Sequence, residues 1–191
     1  MSSRVERLQD IVAHPLDYLD PQRLSLPPLI NSPTVREVLN SILQRGLAVY
    51  ESCLQTQAQA SAVGDLFIDN WSLLPRVAGL IGAQAAWPHL AKGARLQQLT
   101  ACERGFAACP LAPRLLVFVA HKNALGEQLQ AIGLNALLAW RAQLPNVLLK
   151  RLPLQFSPQV VEWQQLMPTA IPDAALLTLA VQHARVHPNP H

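Results

Sequence analysis

The chain has 191 residues, of which half are hydrophobic and 14% are charged, and its net charge at neutral pH is +3. A chain of this length buries about 70% of the surface that its unfolded form exposes, so it needs neither a disulfide nor a metal to fold. The positive charges are scattered along the sequence, which argues against the clustered basic face of a nucleic-acid-binding protein. Leu and Ala outnumber β-branched and aromatic residues, and this composition favours helices over strands.

Two helices are predicted in the N-terminal part of the chain. Ser3 can cap the first helix, over residues 5–14, and Pro15 ends it. Residues 14–32 are rich in proline and leucine and have no helical period, which predicts an extended strap packed against the body of the protein. Ser32 followed by Pro33 then begins a second helix that reaches about residue 57. Six apolar residues are predicted on one face of this helix: Val35, Val38, Leu39, Ile42, Val49 and Tyr50.

The central part of the chain predicts further helices. Asp69 or Ser72 is expected to start a helix that covers Leu73, Leu74, Val77, Leu80 and Ile81. Three small residues in it would let another helix approach closely: Gly79, Gly82 and Ala83. Pro88, directly after Trp87, is expected to break the run.

Residues 89–108 predict one or two helices interrupted near Gly93. Residues 114–122 form a continuous apolar run that suits either a buried strand or a buried helix, and the helical neighbours favour a helix.

Residues 125–144 carry the clearest helical pattern in the chain. Apolar side chains recur there at spacings of four and three, as on one helical face, at Leu125, Leu129, Ile132, Ala136 and Trp140. Pro145 is expected to end this helix, and a short helical turn follows over residues 147–152. Because the apolar stripe is wide, it needs partner helices to cover it, and Trp140 is predicted to be buried.

Two more helices are predicted near the C-terminus. Ser157 with Pro158 repeats the serine–proline start seen at Ser32, and Pro172 with Asp173 opens a last helix over residues 174–186. Residues 188–191 are predicted to be a disordered tail. The sequence therefore predicts an all-α fold over residues 1–191, a single globular domain of about eight helices with a proline-rich extended N-terminal strap.

The sequence contains no pattern that predicts catalysis, a cofactor or a metal. It lacks the glycine–serine nucleophile motif and the glycine-rich phosphate-binding motifs. His183 and His187 have a spacing that can place two imidazoles on a metal, but the accompanying glutamate and a third ligand are missing. They are therefore interpreted as surface histidines near a frayed terminus, and Cys102 and Cys109 as core thiols.

The predicted setting of the protein is the cytoplasm. Its three cysteines include no CxxC pair, which favours a reducing compartment. The N-terminal residues lack the apolar core of a secretory signal, and no apolar run reaches the length of a membrane span. Direct insertion into a membrane is therefore not expected.

Two stretches of the sequence resemble a known family. The first is residues 14–19, His-Pro-Leu-Asp-Tyr-Leu, and the second is the Gly-Leu-x-x-x-Leu-Ala pattern at residues 133–139, followed by Lys-Arg-Leu at residues 150–152. Both are similar to segments of the SctK family, which includes YscK and PscK and comprises cytoplasmic accessory proteins of bacterial type III secretion systems. The second stretch is expected to be structural, through Gly133, Leu134, Leu138, Trp140, Arg151 and Leu152.

The resemblance implies a non-enzymatic adaptor of the sorting platform beneath the inner-membrane ring. Such an adaptor links the cytoplasmic domain of the ring protein to the pod protein of the platform and stays at the cytoplasmic face of the inner membrane through these partners. The candidate partner-binding residues are Pro15, Tyr18 and Leu19, because the strap is predicted to lie outside the regular helical packing. The polar loop at residues 55–61 is a candidate for the same reason.

Two other classes of function stay open at this point. One is a different helical binding module, such as a secretion chaperone or a small regulatory adaptor, although such chaperones are usually acidic and this chain is basic. The other is a small enzyme with dispersed site residues, which a pocket with convergent polar groups would favour.

Overall fold

The computed structural model describes residues 3–27, 31–48, 61–91, 93–111, 115 and 124–187. These residues contain helices and no strand, which confirms the all-α prediction for them. In chain order the helices are α1 (Arg4–Ala13), α2 (Pro33–Ala48), α3 (Ala62–Asp69), α4 (Leu74–Leu90), α5 (Ala101–Ala108), α6 (Leu125–Leu138), α7 (Asn146–Arg151), α8 (Pro158–Gln165) and α9 (Ala174–Val186).

Backbone contacts divide the chain into two compact units. Unit 1 comprises Met1–Ser72 and Arg141–Pro158, and unit 2 comprises Leu73–Trp140 and Gln159–His191. Each unit is therefore formed by two separate stretches of the sequence.

In unit 1, α1 begins as the sequence predicts. The Ser3 hydroxyl accepts a hydrogen bond from the Glu6 amide at 3.2 Å, and the Glu6 carboxylate accepts one from the Ser3 amide at 2.7 Å. This reciprocal arrangement satisfies two amide groups at the helix start that have no partner within the helix.

The strap that follows α1 is not extended throughout, which corrects the prediction for residues 14–32. Pro15–Asp17 form a turn of 3-10 helix, consistent with the preference of proline for a first helical position. The Asp20 carboxylate then accepts a hydrogen bond from the Gln22 amide at 2.9 Å and turns the chain again. Of the described strap residues, 14, 20, 24–27, 31 and 32 form neither helix, turn nor bend.

Helix α2 begins at Pro33, as predicted, but the predicted buried face is wrong at two positions. Val38 and Ile42 are 54% and 53% exposed, whereas Asn40 is 7% exposed. The buried face of α2 is therefore rotated about the helix axis relative to the predicted face. The polar residue Asn40 lies on this buried face. The predicted end near residue 57 lies outside the described residues.

Helix α3 was not predicted, and the predicted helix start at Asp69 or Ser72 is wrong. Asp69 is the last residue of α3, and α4 begins at Leu74 without a side-chain cap. The cap of α3 is Ser61, whose hydroxyl accepts a hydrogen bond from the Gly64 amide at 2.9 Å. Because Ser61 lies at the end of a polar stretch, its sequence context favoured a loop.

Pro88 does not end α4, which corrects the predicted break. The helix continues to Leu90, and the Ala91 amide still bonds to the Trp87 carbonyl at 2.9 Å. A proline this close to a helix end removes a single amide donor from a turn that is about to finish. The free-energy cost of a proline at position 88 is therefore small.

Unit 2 is built around α4, against which α5, α6 and α9 pack. One cluster of buried apolar residues consists of Ala83, Ala86, Leu90, Leu99, Ala107, Leu125 and Leu129. The region between α4 and α6 contains a 3-10 helix at Gly93–Gln98 followed by α5, as predicted for an interrupted helical segment.

Helix α6 ends at Leu138, earlier than the predicted stop before Pro145. The Trp140 amide bonds to the Leu137 carbonyl at 3.2 Å, a tighter turn than that of an α-helix. Trp140 and Leu144 are nevertheless 8% and 7% exposed. The apolar pattern therefore predicted burial correctly and helix length incorrectly.

The two C-terminal helices begin as predicted. Helix α8 starts at Pro158, and α9 starts after Asp173, whose carboxylate accepts a hydrogen bond from the Leu176 amide at 2.9 Å. The predicted tail at residues 188–191 and, apart from Leu115, the run at residues 114–122 lie outside the described residues.

Candidate functional site

The strap that carries the candidate partner-binding residues is attached to α2. Pro15 is buried. The Leu16 amide donates a hydrogen bond to the buried Asn40 side chain at 3.0 Å, and Arg36 pairs with Asp17 at 2.6 Å. Asn40 thus accepts a bond that fixes the start of the strap, which explains why a polar residue is buried in α2.

Tyr18 is half-buried and packs on Trp71. The two rings meet edge to face, with 5.4 Å between their centroids and an interplanar angle of 87°. Such pairs contribute about 0.5–1.5 kcal/mol beyond the area that they bury. Trp71 itself is 6% exposed, and Leu19 is half-buried. All three candidate residues therefore have packing roles in unit 1, and a partner-binding role for them stays a prediction.

The strap also binds the segment that follows α7. The Asp20 amide donates to the Leu154 carbonyl at 2.9 Å. Arg23 donates from Nε to the Phe156 carbonyl at 2.7 Å and from Nη2 to the Pro153 carbonyl at 3.2 Å. A guanidinium is well suited to carbonyl groups at a helix end, which lack partners within the helix and carry partial negative charge.

Parts of the two family-like stretches therefore lie together in unit 1. The strap begins with the His-Pro-Leu-Asp-Tyr-Leu stretch, and the carbonyl groups that it binds follow the Lys-Arg-Leu stretch. Leu152 is fully buried, and Arg151 is only 1% exposed. Arg151 donates to the Val147 carbonyl one helical turn earlier, at 3.4 Å. Both positions are buried within unit 1, and the structural role of the second stretch stays a prediction.

The glycine of the second stretch lies at a helix crossing in unit 2. A Cβ atom at Gly133 would overlap the backbone of Ala78, and a Cβ atom at Gly82 would overlap the backbone of Leu129. Helices α4 and α6 thus approach each other through one glycine from each. This confirms the predicted close approach at Gly82 but not at Gly79, where a Cβ atom would meet none of the described atoms within 4 Å. On α6, Leu134 is fully buried and Leu138 is half-buried.

Exposed apolar side chains were missed by the sequence analysis. In unit 1 they include Val38 and Ile42 on α2. In unit 2 they include Leu166 and Ile171, which are 83% and 89% exposed in the connection between α8 and α9. Large exposed apolar side chains that lie close together are a common feature of protein-binding surfaces.

The predictions for cysteine and histidine need correction. Cys109 is exposed at the C-terminal end of α5, and Cys102 is half-buried, so neither is a core thiol. His183 is half-buried, with its ring centroid 5.1 Å from that of Phe106, and α9 remains helical beyond it. His187 is exposed, as predicted.

Metal-ligating side chains do not converge in the part of the chain that the structure describes: no three His, Cys, Asp or Glu residues there could hold one ion. Among the described helices, none has both the length and the hydropathy needed to cross a membrane.

The described residues define the class of this protein as all-helical, and its family-like residues lie within the two compact units. Residues 8–186 match the family described as bacterial type III secretion apparatus protein (OrgA_MxiK). The chain belongs to this family, which confirms the predicted resemblance to SctK proteins.

Curated relatives agree with this assignment. The chain is 30% identical over 185 residues to the oxygen-regulated invasion protein OrgA of Salmonella typhimurium strain 14028s. The alignment covers 95% of this chain and 88% of the relative. The same identity and coverage hold for the protein of that name in strains SL1344 and LT2. No solved structure matches the chain significantly.

Proposed function

We propose that this protein is an adaptor of a bacterial type III secretion system that links the cytoplasmic domain of the inner-membrane ring protein to the pod protein of the sorting platform. The observation that carries the proposal is the family match over residues 8–186, which is nearly the whole chain. A component of a secretion apparatus acts through contacts with other components, and the adaptor role is the one that the SctK resemblance implies.

The proposed mechanism is non-enzymatic. The protein binds two partners at separate surfaces and thereby holds them at a fixed place in the apparatus. It is located in the cytoplasm and reaches the inner membrane only through its partners. Neither nucleic acid nor a direct membrane contact has a part in this mechanism.

Exposed apolar side chains on each unit support the requirement for two surfaces. Val38 and Ile42 are four residues apart on α2, so they lie on the same helical face. Leu166 and Ile171 lie in the α8–α9 connection of unit 2. All four side chains are more than half exposed, so polar substitutions at them are expected to change binding more than folding.

The first experiment is affinity purification of the tagged protein, at low salt, from cells that express the secretion system, followed by mass spectrometry. The proposal predicts recovery of both the ring protein and the pod protein. Recovery of neither with a folded, well-expressed protein would contradict it.

Paired variants then separate the two surfaces. The double variants Val38→Ser/Ile42→Ser and Leu166→Ser/Ile171→Ser are purified in the same way, with circular dichroism to check folding. If each pair belongs to one surface, each variant loses one partner and keeps the other. Retention of both partners by both variants would show that these apolar residues are not the binding surfaces.

A further inference from the structure

A cysteine and a histidine from distant parts of the sequence meet in unit 2. Cys102 Sγ lies 3.1 Å from His183 Nε2, and the same nitrogen lies 3.2 Å from the Cys102 carbonyl oxygen. The His183 ring also packs against Phe106, one turn further along α5 from Cys102. The Phe106 contact therefore holds the imidazole beside the sulfur. Unprotonated Nε2 can accept a hydrogen bond from the Cys102 thiol, and protonated Nε2 can donate to the Cys102 carbonyl.

Two further features place positive charge near this sulfur. Arg76 of α4 directs Nη2 at Cys102 Sγ from 3.4 Å. Cys102 is also the second residue of α5, where the helix amides give a partial positive charge. The other titratable groups nearby are Glu103, whose carboxylate caps α5 at Thr100, and His187, whose ring is 4.6 Å from that of His183.

We propose that Cys102 is a reactive thiol that forms mixed disulfides with small disulfide-containing molecules, with His183 as the proton acceptor. His183 Nε2 takes the thiol proton, and the imidazolium N–H and Arg76 then donate hydrogen bonds to the thiolate. The thiolate attacks one sulfur of the disulfide, a new S–S bond forms, the original S–S bond breaks, and the departing thiolate takes up a proton. No other oxidant is needed, because the incoming disulfide is the species that is reduced.

Cys109 supplies an internal comparison on the same helix. It is exposed at the C-terminal end of α5, and its sulfur lies 3.4 Å from the Gly105 carbonyl oxygen. Seven residues of helix separate the two cysteines by about 10 Å, which exceeds the span of a disulfide. The mixed disulfide at Cys102 is therefore not resolved by Cys109 while α5 is intact.

The test compares single-cysteine proteins. The variant Cys53→Ser/Cys109→Ser keeps Cys102, and Cys53→Ser/Cys102→Ser keeps Cys109. Both are incubated with glutathione disulfide at pH 7, and mixed-disulfide formation is followed by mass spectrometry. Although Cys109 is more exposed, Cys102 is expected to react about 10-fold faster, because His183 Nε2 lies 3.1 Å from its sulfur and can accept its proton. In urea, where the surroundings of both cysteines are lost, the two rates are expected to become similar.

His183→Gln in the Cys102-only protein tests the role of the imidazole. This variant keeps a side chain of similar length without a strong proton acceptor, and the rate is expected to fall to near that of Cys109. Arg76→Gln in the same protein is expected to lower the rate of mixed-disulfide formation by a smaller factor. It provides a second test if His183→Gln does not fold. A Cys102 rate equal to or below that of Cys109 in the folded protein, or a Cys102 rate unchanged by both substitutions, would overturn the proposal.

Discussion

Two glycines three residues apart on α4 have opposite surroundings. A Cβ atom at Gly82 would overlap the Leu129 backbone, whereas a Cβ atom at Gly79 would meet none of the described atoms within 4 Å. Gly82→Ala is therefore expected to lower the free energy of unfolding by about 2 kcal/mol, because α4 and α6 must separate. Gly79→Ala is expected to raise it by up to about 1 kcal/mol, because alanine favours the helix. Urea unfolding of both variants measures the difference.

Gly133→Ala repeats the test from the other helix, since a Cβ atom there would overlap the Ala78 backbone. Its destabilisation should resemble that of Gly82→Ala. If Gly82→Ala and Gly133→Ala both had the same stability as the parent, the close approach of α4 and α6 would not exist in solution.

Tyr18 is the residue for which a structural and a binding role are easiest to separate. Tyr18→Ala removes the edge-to-face contact with Trp71 and is expected to lower the free energy of unfolding by about 2 kcal/mol. Tyr18→Phe keeps the ring and should lower it much less. Thermal unfolding measures stability, and affinity purification measures partner recovery. A loss of partner with Tyr18→Phe at unchanged stability would instead assign the hydroxyl to binding.

Some individual positions could be predicted from the sequence, and others could not. Trp140 was predicted correctly because it continues an apolar stripe, and Gly82 because small residues permit close helix crossings. Val38 and Ile42 were assigned to the wrong face because the periodicity of α2 does not distinguish two adjacent stripes. Burial of Arg151 had no local signal, since charged side chains are rarely buried.

Helices with a strong start signal were the ones predicted most accurately. Helices α2, α8 and α9 begin at a Ser-Pro or Pro-Asp pair, whose effect is local and therefore readable from the sequence. Helix α3 has only eight residues and follows a polar stretch, so its pattern was too short to recognise.

Docking of the strap onto the segment after α7 depends on Arg23. Arg23→Ala removes two hydrogen bonds to backbone carbonyl groups and is expected to lower the free energy of unfolding by about 2 kcal/mol. The matched control is Arg36→Ala, which removes a more exposed ion pair with Asp17 and should cost less than about 1 kcal/mol.

Amide hydrogen exchange tests directly whether Arg23 holds the strap against the segment after α7. The Asp20 amide donates to the Leu154 carbonyl, so it should be protected in the parent protein and in Arg36→Ala. In Arg23→Ala its exchange should be faster, because the strap is held less firmly. Unchanged exchange at Asp20 in Arg23→Ala would show that Arg23 does not hold the strap.

For the whole molecule, the fold class and the family could be predicted from the sequence, whereas the binding surfaces could not. Composition predicted an all-helical chain, and two short stretches predicted the SctK resemblance that the match over residues 8–186 confirms. Those stretches carry packing residues such as Gly133 and Leu152, so they identify the family without locating a partner. The exposed apolar residues could not be recognised, because exposure depends on which helices cover them.

The central claim is that this protein joins the ring protein to the pod protein, and a reconstitution experiment tests it most directly. The cytoplasmic domain of the ring protein is immobilised, and the pod protein is added with or without this protein at low salt. The adaptor proposal predicts that the pod protein is retained only when this protein is present, in a complex containing all three chains. Equal retention in its absence, or no retention in its presence when all components are folded, would contradict the proposal.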